Sequence, residues 1–224
     1  AAMRAVANGR QAAVLVPTTI LADQHYRNFA KRFAGFPVNI RAISRFVPKA
    51  EQKKILEDLA RGKIDIIVGT HRLLQKDVEF SALGVMIADE EHRFGVKDKD
   101  KIKSAAKGVH CLLMSATPIP RTLYQSLSSL KAMSVIESPP VGRQAITTFV
   151  RPFAEKGAAE AITYELARGG QVYYVHNRVQ TIDSRRAYLQ RLMPELRVAV
   201  IHGQMKAEEV EQHMWDFLNR KYDV

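Results

Sequence analysis

The chain has 224 residues, 34 Lys and Arg against 23 Asp and Glu, a net charge of +11 and a hydrophobic share of 46%. Such a composition suits one large packed domain or two modest ones. No segment approaches a membrane-spanning run and no basic-then-apolar stretch opens the sequence; the single cysteine, Cys111, forms no internal disulfide, and the seven histidines are scattered without zinc spacing.

In chain order, residues 1–7 read as a helix with no cap and no strand before it. Ala12–Val16 is a short apolar run ended by Pro17. Thr18 or Thr19 can cap the helix that follows, because a threonine oxygen accepts from the free amides of a first turn. Ile20, Leu21, Tyr26, Phe29, Ala30 and Phe33 recur there near helical spacing. Val38–Ile43 reads as a strand and Glu51–Ala60 as a helix with Ile55, Leu56 and Leu59 inward. Ile64–Val68, Val85–Ala88 and His110–Met114 read as further strands, with Cys111 expected as a buried, inert thiol of a reducing cytoplasm. A helix over 121–130 follows. Strands that are apolar throughout, alternating with helices, predict a parallel α/β sheet covered on both faces. Ligands of such sheets sit at the C-terminal strand ends, where Thr18, Thr70, Asp89 and Ser115 fall.

Ser138-Pro139-Pro140-Val141-Gly142 suits a linker, so the chain is read as two lobes, residues 1–142 and 143–224. In the second, expected strands Ile146–Val150, Val172–Val175 and Val198–Ile201 alternate with helices over 154–168, 183–192 and 207–218. Gly169-Gly170 is a helix stop, Trp215 is expected in the core, and Tyr222–Val224 begins another strand. Residues 1–143 carry 23 basic against 13 acidic side chains, and 144–224 carry 11 against 10. Basic excess on one half is what a phosphate backbone attracts, although a basic surface without a ligand would look the same. The alternation from Lys97 to Lys101 reads as a solvated face.

The chemistry concentrates in Val85-Met-Ile-Ala-Asp-Glu-Glu-His-Arg-Phe-Gly95. Three successive carboxylates at a buried strand's tip repel one another, and a divalent cation gives them a use. An Asp there can hold magnesium on nucleotide phosphates while the next carboxylate orients water. A solvated acidic turn is the plain alternative. Ser115-Ala116-Thr117, then Pro118 to Thr122, follows at the end of the next strand.

Asp-Glu-Glu-His followed at this distance by Ser-Ala-Thr resembles the superfamily 2 helicases and translocases. The run Gly69-Thr-His-Arg-Leu-Leu-Gln75, Val78-Glu-Phe80, Leu83-Gly84 and Asp89 to Val96 narrows the resemblance. It is similar to the bacterial family that comprises transcription-repair coupling factors and branch-migration helicases of the RecG type. Ile43-Ser-Arg-Phe46, the Glu at 91 and Gln171 to Val179 favour the coupling-factor branch. The resemblance covers essentially the whole chain. It implies two RecA-like lobes, the first nearly complete and the second truncated, and an ATP- and Mg2+-dependent translocase of double-stranded DNA in a bacterial cytoplasm. Its partners would include RNA polymerase and nucleotide excision repair proteins, bound through domains outside this chain. No Gly-x-x-x-x-Gly-Lys-Ser/Thr phosphate loop occurs. In the family that loop precedes a helix matching residues 1–7, so truncation is the expected explanation and the isolated chain an inactive ATPase.

The resemblance also implies roles. Asp89 would bind magnesium and Glu90 polarise water. Glu91 would take part in coupling or be a surface carboxylate. His92 would link the nucleotide site to Ser115 and Thr117, or be a histidine packed under the sheet. Ser115 and Thr117 are also plain turn formers. Thr18, Thr19, Gly69 and Thr70 resemble positions that touch the DNA backbone, and capping would not exclude that contact. Arg72 and Arg121 would add backbone contacts. In the second lobe the loops His176-Asn177-Arg178 and His202-Gly203-Gln204-Met205 resemble a DNA-tracking surface. Fork remodelling of the RecG kind is one alternative. A non-catalytic DNA-binding module is another, but it would leave the three carboxylates without a purpose.

Overall fold

The computed structural model describes residues 1–105, 108–116, 134–140, 142–143 and 145–224. The helix expected over 121–130 lies outside them. The chain divides into two compact units, Ala1–Ser129 and Leu130–Val224.

The first unit runs α1 (Ala2–Ala7), β1 (Gln11–Leu15), α2 (Thr19–Arg32), β2 (Ile40–Ile43), α3 (Lys49–Ala60), β3 (Ile66–Gly69), β4 (Leu83–Ala88), α4 (Val96–Ala105) and β5 (His110–Leu113). Short 3-10 turns follow β3 at His71–Leu74 and β4 at Glu91–Arg93. The sheet order is β2-β3-β1-β4-β5, and every pairing is parallel. Successive strand residues point to opposite faces. Ala13, Leu15, Ile67, Met86 and Ala88 therefore pack with Ile55 and Leu59 of α3 and Ile102 of α4. Ala12, Val14, Ile66, Val68, Val85 and Ile87 pack on the other side with Ala2 of α1 and Ala22 of α2. Two covered faces explain strands without polar alternation.

Two features of this unit depart from expectation. Cys111 is exposed, not buried; it lies on β5, the edge strand of the described sheet. Gln11, the first residue of β1, is 5% exposed and acts as a clamp. Its Nε2 donates to Leu59 O at 2.9 Å and Ile64 O at 2.8 Å, and its Oε1 accepts from Ala82 N at 3.0 Å. One side chain thus fastens the end of α3 and the approaches to β3 and β4.

The second unit contains α5 (Glu155–Ala167), α6 (Ile182–Leu192) and α7 (Ala207–Leu218), with a 3-10 turn at Val179–Thr181. Ile162, Leu189, Leu196, Val198 and Val224 form its core. Residues 146–150, 172–175 and 198–201, expected as strands, carry no regular secondary structure. For 146–150 the apolar run is uncovered, with Ile146 90% and Val150 95% exposed. The other two segments are joined by a short ladder. Val172 N donates to Asp223 O at 2.9 Å, Ala199 N to Val224 O at 2.9 Å, and Asp223 N to Arg197 O at 2.8 Å. Trp215 is only half-buried; the buried aromatic of α7 is Phe217, whose ring lies 4.8 Å from that of Tyr173.

The two units share a hydrogen-bonding frame. Helices α3 and α7 each span 12 residues and are followed by a residue in the left-handed region, Gly62 (φ 73°) and Arg220 (φ 60°). Lys63 N reaches Asp58 O at 2.9 Å, and Lys221 N reaches Asp216 O at 3.0 Å. Lys63 and Asp58, like Lys221 and Asp216, are also ion-paired. Asn39 N donates to Asp65 Oδ2 as Arg197 N does to Asp223 Oδ2. Ala12 N donates to Asp65 O as Val172 N does to Asp223 O. Gln171 even repeats the clamp, its Nε2 donating to Phe217 O and Tyr222 O, each at 2.7 Å.

Candidate functional site

The site is built at the C-terminal edge of the first sheet. Asp89 leaves β4 with its N–H donating to Leu15 O of β1 at 2.9 Å. Glu90 then takes a left-handed conformation (φ 53°, ψ 43°), which costs a residue with a Cβ about 1–2 kcal/mol. The bend lets Glu90 N donate to Asp89 Oδ1 at 3.0 Å and Arg93 N to Glu90 O at 2.8 Å. Phe94, 8% exposed, anchors the turn in the core. Strain held by core packing beside a carboxylate pair is compatible with a functional site, although Arg220 takes a similar conformation at a helix end.

Around this turn, His92 Nε2 lies 3.4 Å from Glu90 Oε2, and His92 Nδ1 lies 3.1 Å from Ser115 Oγ. A chain of polar atoms therefore runs from Glu90 through His92 to the end of β5. Glu91 N donates to Met114 O at 3.2 Å, and its carboxylate lies 3.6 Å from Lys99 Nζ. Lys99, read as merely solvated, is thus engaged from α4. Thr117 and Arg121 lie outside the described residues. The carboxylate of Asp89 is bonded to His25 of α2, with Nε2 and Oδ2 2.9 Å apart. Sequence reading passed over His25; its signal was a polar ring at the near end of the row His25, Phe29, Phe33. Asp89 remains 22% exposed. Magnesium in nucleotide sites takes one or two protein carboxylates and completes its shell with phosphates and water. An Asp held on both oxygens beside a second carboxylate fits that demand.

The expected backbone-contact residues are more mixed. Thr18 caps α2, its oxygen accepting from Leu21 N at 3.2 Å. Thr19 and Thr70 are each buried, at 4% exposed. Gly69 has a packing reason of its own. A Cβ there would lie 2.7 Å from Ile43 O and 2.8 Å from Leu73 Cγ. Gly69→Ala is therefore expected to cost about 1–3 kcal/mol by overpacking. Chemical denaturation of the two proteins measures it, and equal midpoints would refute the fit.

Arg72 already has partners within the chain. Its guanidinium is bidentate to Asp77, at 2.8 and 2.7 Å, and its Nε donates to Gln52 Oε1 at 3.2 Å. Arg72 holds the Asp77 carboxyl below its usual range chiefly through these hydrogen bonds. A cation so matched pins the loop after β3 to α3. The open groove that Arg72 lines with Lys49, Lys53, Asp77 and Glu79 includes neither Asp89 nor Glu90.

In the second unit, His176 Nε2 lies 2.7 Å from Thr181 Oγ1, and Asn177 and Arg178 are exposed. His202 Nδ1 accepts from Gln204 N at 3.3 Å, and Met205 N donates to His202 O at 3.1 Å. Gly203 is exposed with open space around it. Both loops follow segments bonded to the same two residues, Asp223 and Val224. Among the described residues no group of three or more His, Cys, Asp or Glu forms a metal cluster. No helix among them is long and apolar enough to cross a membrane.

Comparison with known proteins follows the same division. The family model described as DEAD/DEAH box helicase matches residues 1–126, and that described as helicase conserved C-terminal domain matches residues 157–224. Proteins named transcription-repair-coupling factor match over all 224 residues. Identity is 52% for Haemophilus influenzae, 51% for Escherichia coli and 50% for Mycobacterium bovis. The chain spans about a fifth of their length, between 18% and 20%. A structure of RecG bound to a three-way DNA junction aligns with a TM-score of 0.72 at 34% identity, covering 96% of this chain and 29% of that one. Dbp5 of S. cerevisiae bound to RNA and ADP BeF3 aligns with a TM-score of 0.61 at 18% identity, covering 96% of this chain and 56% of that one, a likeness of fold alone. The architecture is that of two RecA-like lobes, the second short.

Proposed function

We propose, proceeding from the premise that this chain belongs to the DEAD/DEAH box helicase family, that it is part of an ATP-driven double-stranded DNA translocase of the coupling-factor kind. The observation that carries the proposal is the strand-end constellation itself. Asp89 is held on both oxygens, Glu90 is bent toward it by a strained backbone, and His92 joins Glu90 to Ser115. In this reading residues 1–142 and 143–224 are the two motor lobes. Asp89 would hold a magnesium ion, whose contribution when bound would be to offset charge on the phosphates. Glu90 accepts the hydrogen bond of the attacking water and orients it. His92 and Ser115 sense whether that carboxylate is engaged, and Glu91 is fixed by Lys99. Thr18 and the loops 176–178 and 202–205 hold phosphates without reading bases. Identity of about half with coupling factors supports assignment to transcription-coupled repair, where the full protein would displace a stalled RNA polymerase and meet excision-repair proteins. The RecG alignment favours, as a second reading, remodelling of branched DNA by the same chemistry.

The test is ATP hydrolysis by the full natural protein, measured with unrelated duplexes. Stimulation by each of them is expected, and hydrolysis indifferent to DNA would overturn the motor reading. Binding should be independent of sequence and fall steeply with salt. Arg178→Ala, which removes an exposed cation, is expected to reduce the log–log salt slope by about one unit. Arg72→Ala should leave the slope unchanged, since Asp77 already matches that charge. A salt series on both variants decides, and equal slopes for wild type and Arg178→Ala would mean the loop is misassigned.

A further inference from the structure

Resting on the magnesium reading of Asp89, we propose that His25 is the positioning residue for that metal ligand. It holds the Asp89 carboxylate in the orientation in which it takes a divalent cation. A carboxylate oxygen only accepts, so the imidazole N–H donates across the 2.9 Å between His25 Nε2 and Asp89 Oδ2. Asp89 Oδ1 is meanwhile occupied by Glu90 N at 3.0 Å. Each oxygen offers two lone pairs. With one used on either side, the carboxylate plane is fixed and one pair on each oxygen is left for a cation or its water. Without His25 the group would keep a single anchor and turn about its terminal bond.

The imidazole is itself braced. Its ring lies 6.4 Å from that of Phe29, which stacks on Phe33 at 5.7 Å, and Phe33 meets Phe36 edge-on at 6.4 Å. His25 and Phe29 lie on α2, Phe33 caps its end and Phe36 follows it; the first turn of α2 is capped by Thr18, about two helical turns before His25. Both partners are three-quarters covered, with side chains 25% and 22% exposed, so water competes weakly for the bond. The choice of side chain is also informative. Lysine or arginine at this point would set a permanent positive charge against the cation, whereas an imidazole can hold the carboxylate by an N–H alone. Groups that orient a metal ligand typically govern metal affinity about 10- to 100-fold when removed.

The experiment titrates Mn2+ alone into the chain and follows paramagnetic broadening of the Glu90 amide signal, which reads weak binding. His25→Phe keeps a ring against Phe29 and deletes the donor; His25→Gln keeps an N–H at similar reach. The Phe variant should bind Mn2+ about tenfold more weakly and the Gln variant nearly as well as the wild type, with thermal midpoints close to it. A Phe variant that binds like the wild type overturns the proposal, because a tether of α2 with no metal role predicts that result. Should the Phe variant fail to fold, His25→Leu, which also lacks the donor, decides, a roughly tenfold loss supporting the proposal and near-native affinity refuting it. Asp89→Asn separates the two levels. If it keeps the broadening, or the wild type shows none, the magnesium reading itself falls. If it loses the broadening while His25→Phe does not, only the role of His25 falls.

Discussion

Glu90→Gln in the full natural protein is expected to lower ATP turnover by roughly 10²-fold or more while nucleotide binding persists. Glutamine keeps the size and hydrogen-bonding reach of glutamate but removes the charge that, in the proposed mechanism, polarises water. The surroundings favour a clean result. Glu90 already occupies a left-handed backbone conformation and its side chain is 20% exposed, so the replacement inherits the same bend without new burial. Its neighbours are His92 at 3.4 Å and, at 4.0 Å, Arg93, neither of which can take over as a base at the same position. Turnover at saturating ATP and duplex, set beside nucleotide affinity measured separately, checks the prediction. Unchanged turnover in a folded protein would remove Glu90 from the chemistry.

Gln11→Ala is expected to destabilise the first unit by about 3 kcal/mol, the largest loss foreseen for a residue far from the chemistry. The change orphans Leu59 O, Ile64 O and Ala82 N at a site 5% exposed. Each buried backbone group left unpaired costs about 1–3 kcal/mol, reduced wherever water can follow. Gln171→Ala provides the contrast. It is half-buried and frees two carbonyls, Phe217 O and Tyr222 O, so about 1 kcal/mol is expected there. Urea unfolding followed by a probe in each unit measures both, and equal losses would show that burial is not what sets the cost.

What the sequence disclosed follows from how local each signal is. The parallel sheet was legible because its strands are continuous apolar runs separated by amphipathic helices, and the position of Asp89 and Glu90 just past a strand was legible because that run ends where the carboxylates begin. His25 was not, since its bond to Asp89 joins residues 64 positions apart and nothing in the helix period of α2 announces it. Arg72 read as a free cation because its partner Asp77 sits across a 3-10 turn, where no simple spacing pairs side chains. The burial of Thr19 and Thr70 was hidden for a related reason: capping and ligand contact call for the same residue type. In the second unit the apolar runs were seen correctly as apolar. Whether such a run becomes a strand depends on an adjacent edge, and for 172–175 and 198–201 that edge amounts to Asp223 and Val224.

The clamp glutamines and the paired Lys and Asp residues also speak to history. Gln11 and Gln171, Lys63 with Asp58 and Lys221 with Asp216, Asp65 and Asp223 occur in matching order and make matching bonds. Chance convergence on so many coincident details is a poorer account than copying of one ancestral unit, joined in tandem and then allowed to drift. In such a lineage the older copy of any position can be sought inside the same gene. Where one half has Gly62 the other has Arg220 in a similar left-handed bend, a scar of divergence that marks how much backbone discomfort the inherited scaffold has tolerated.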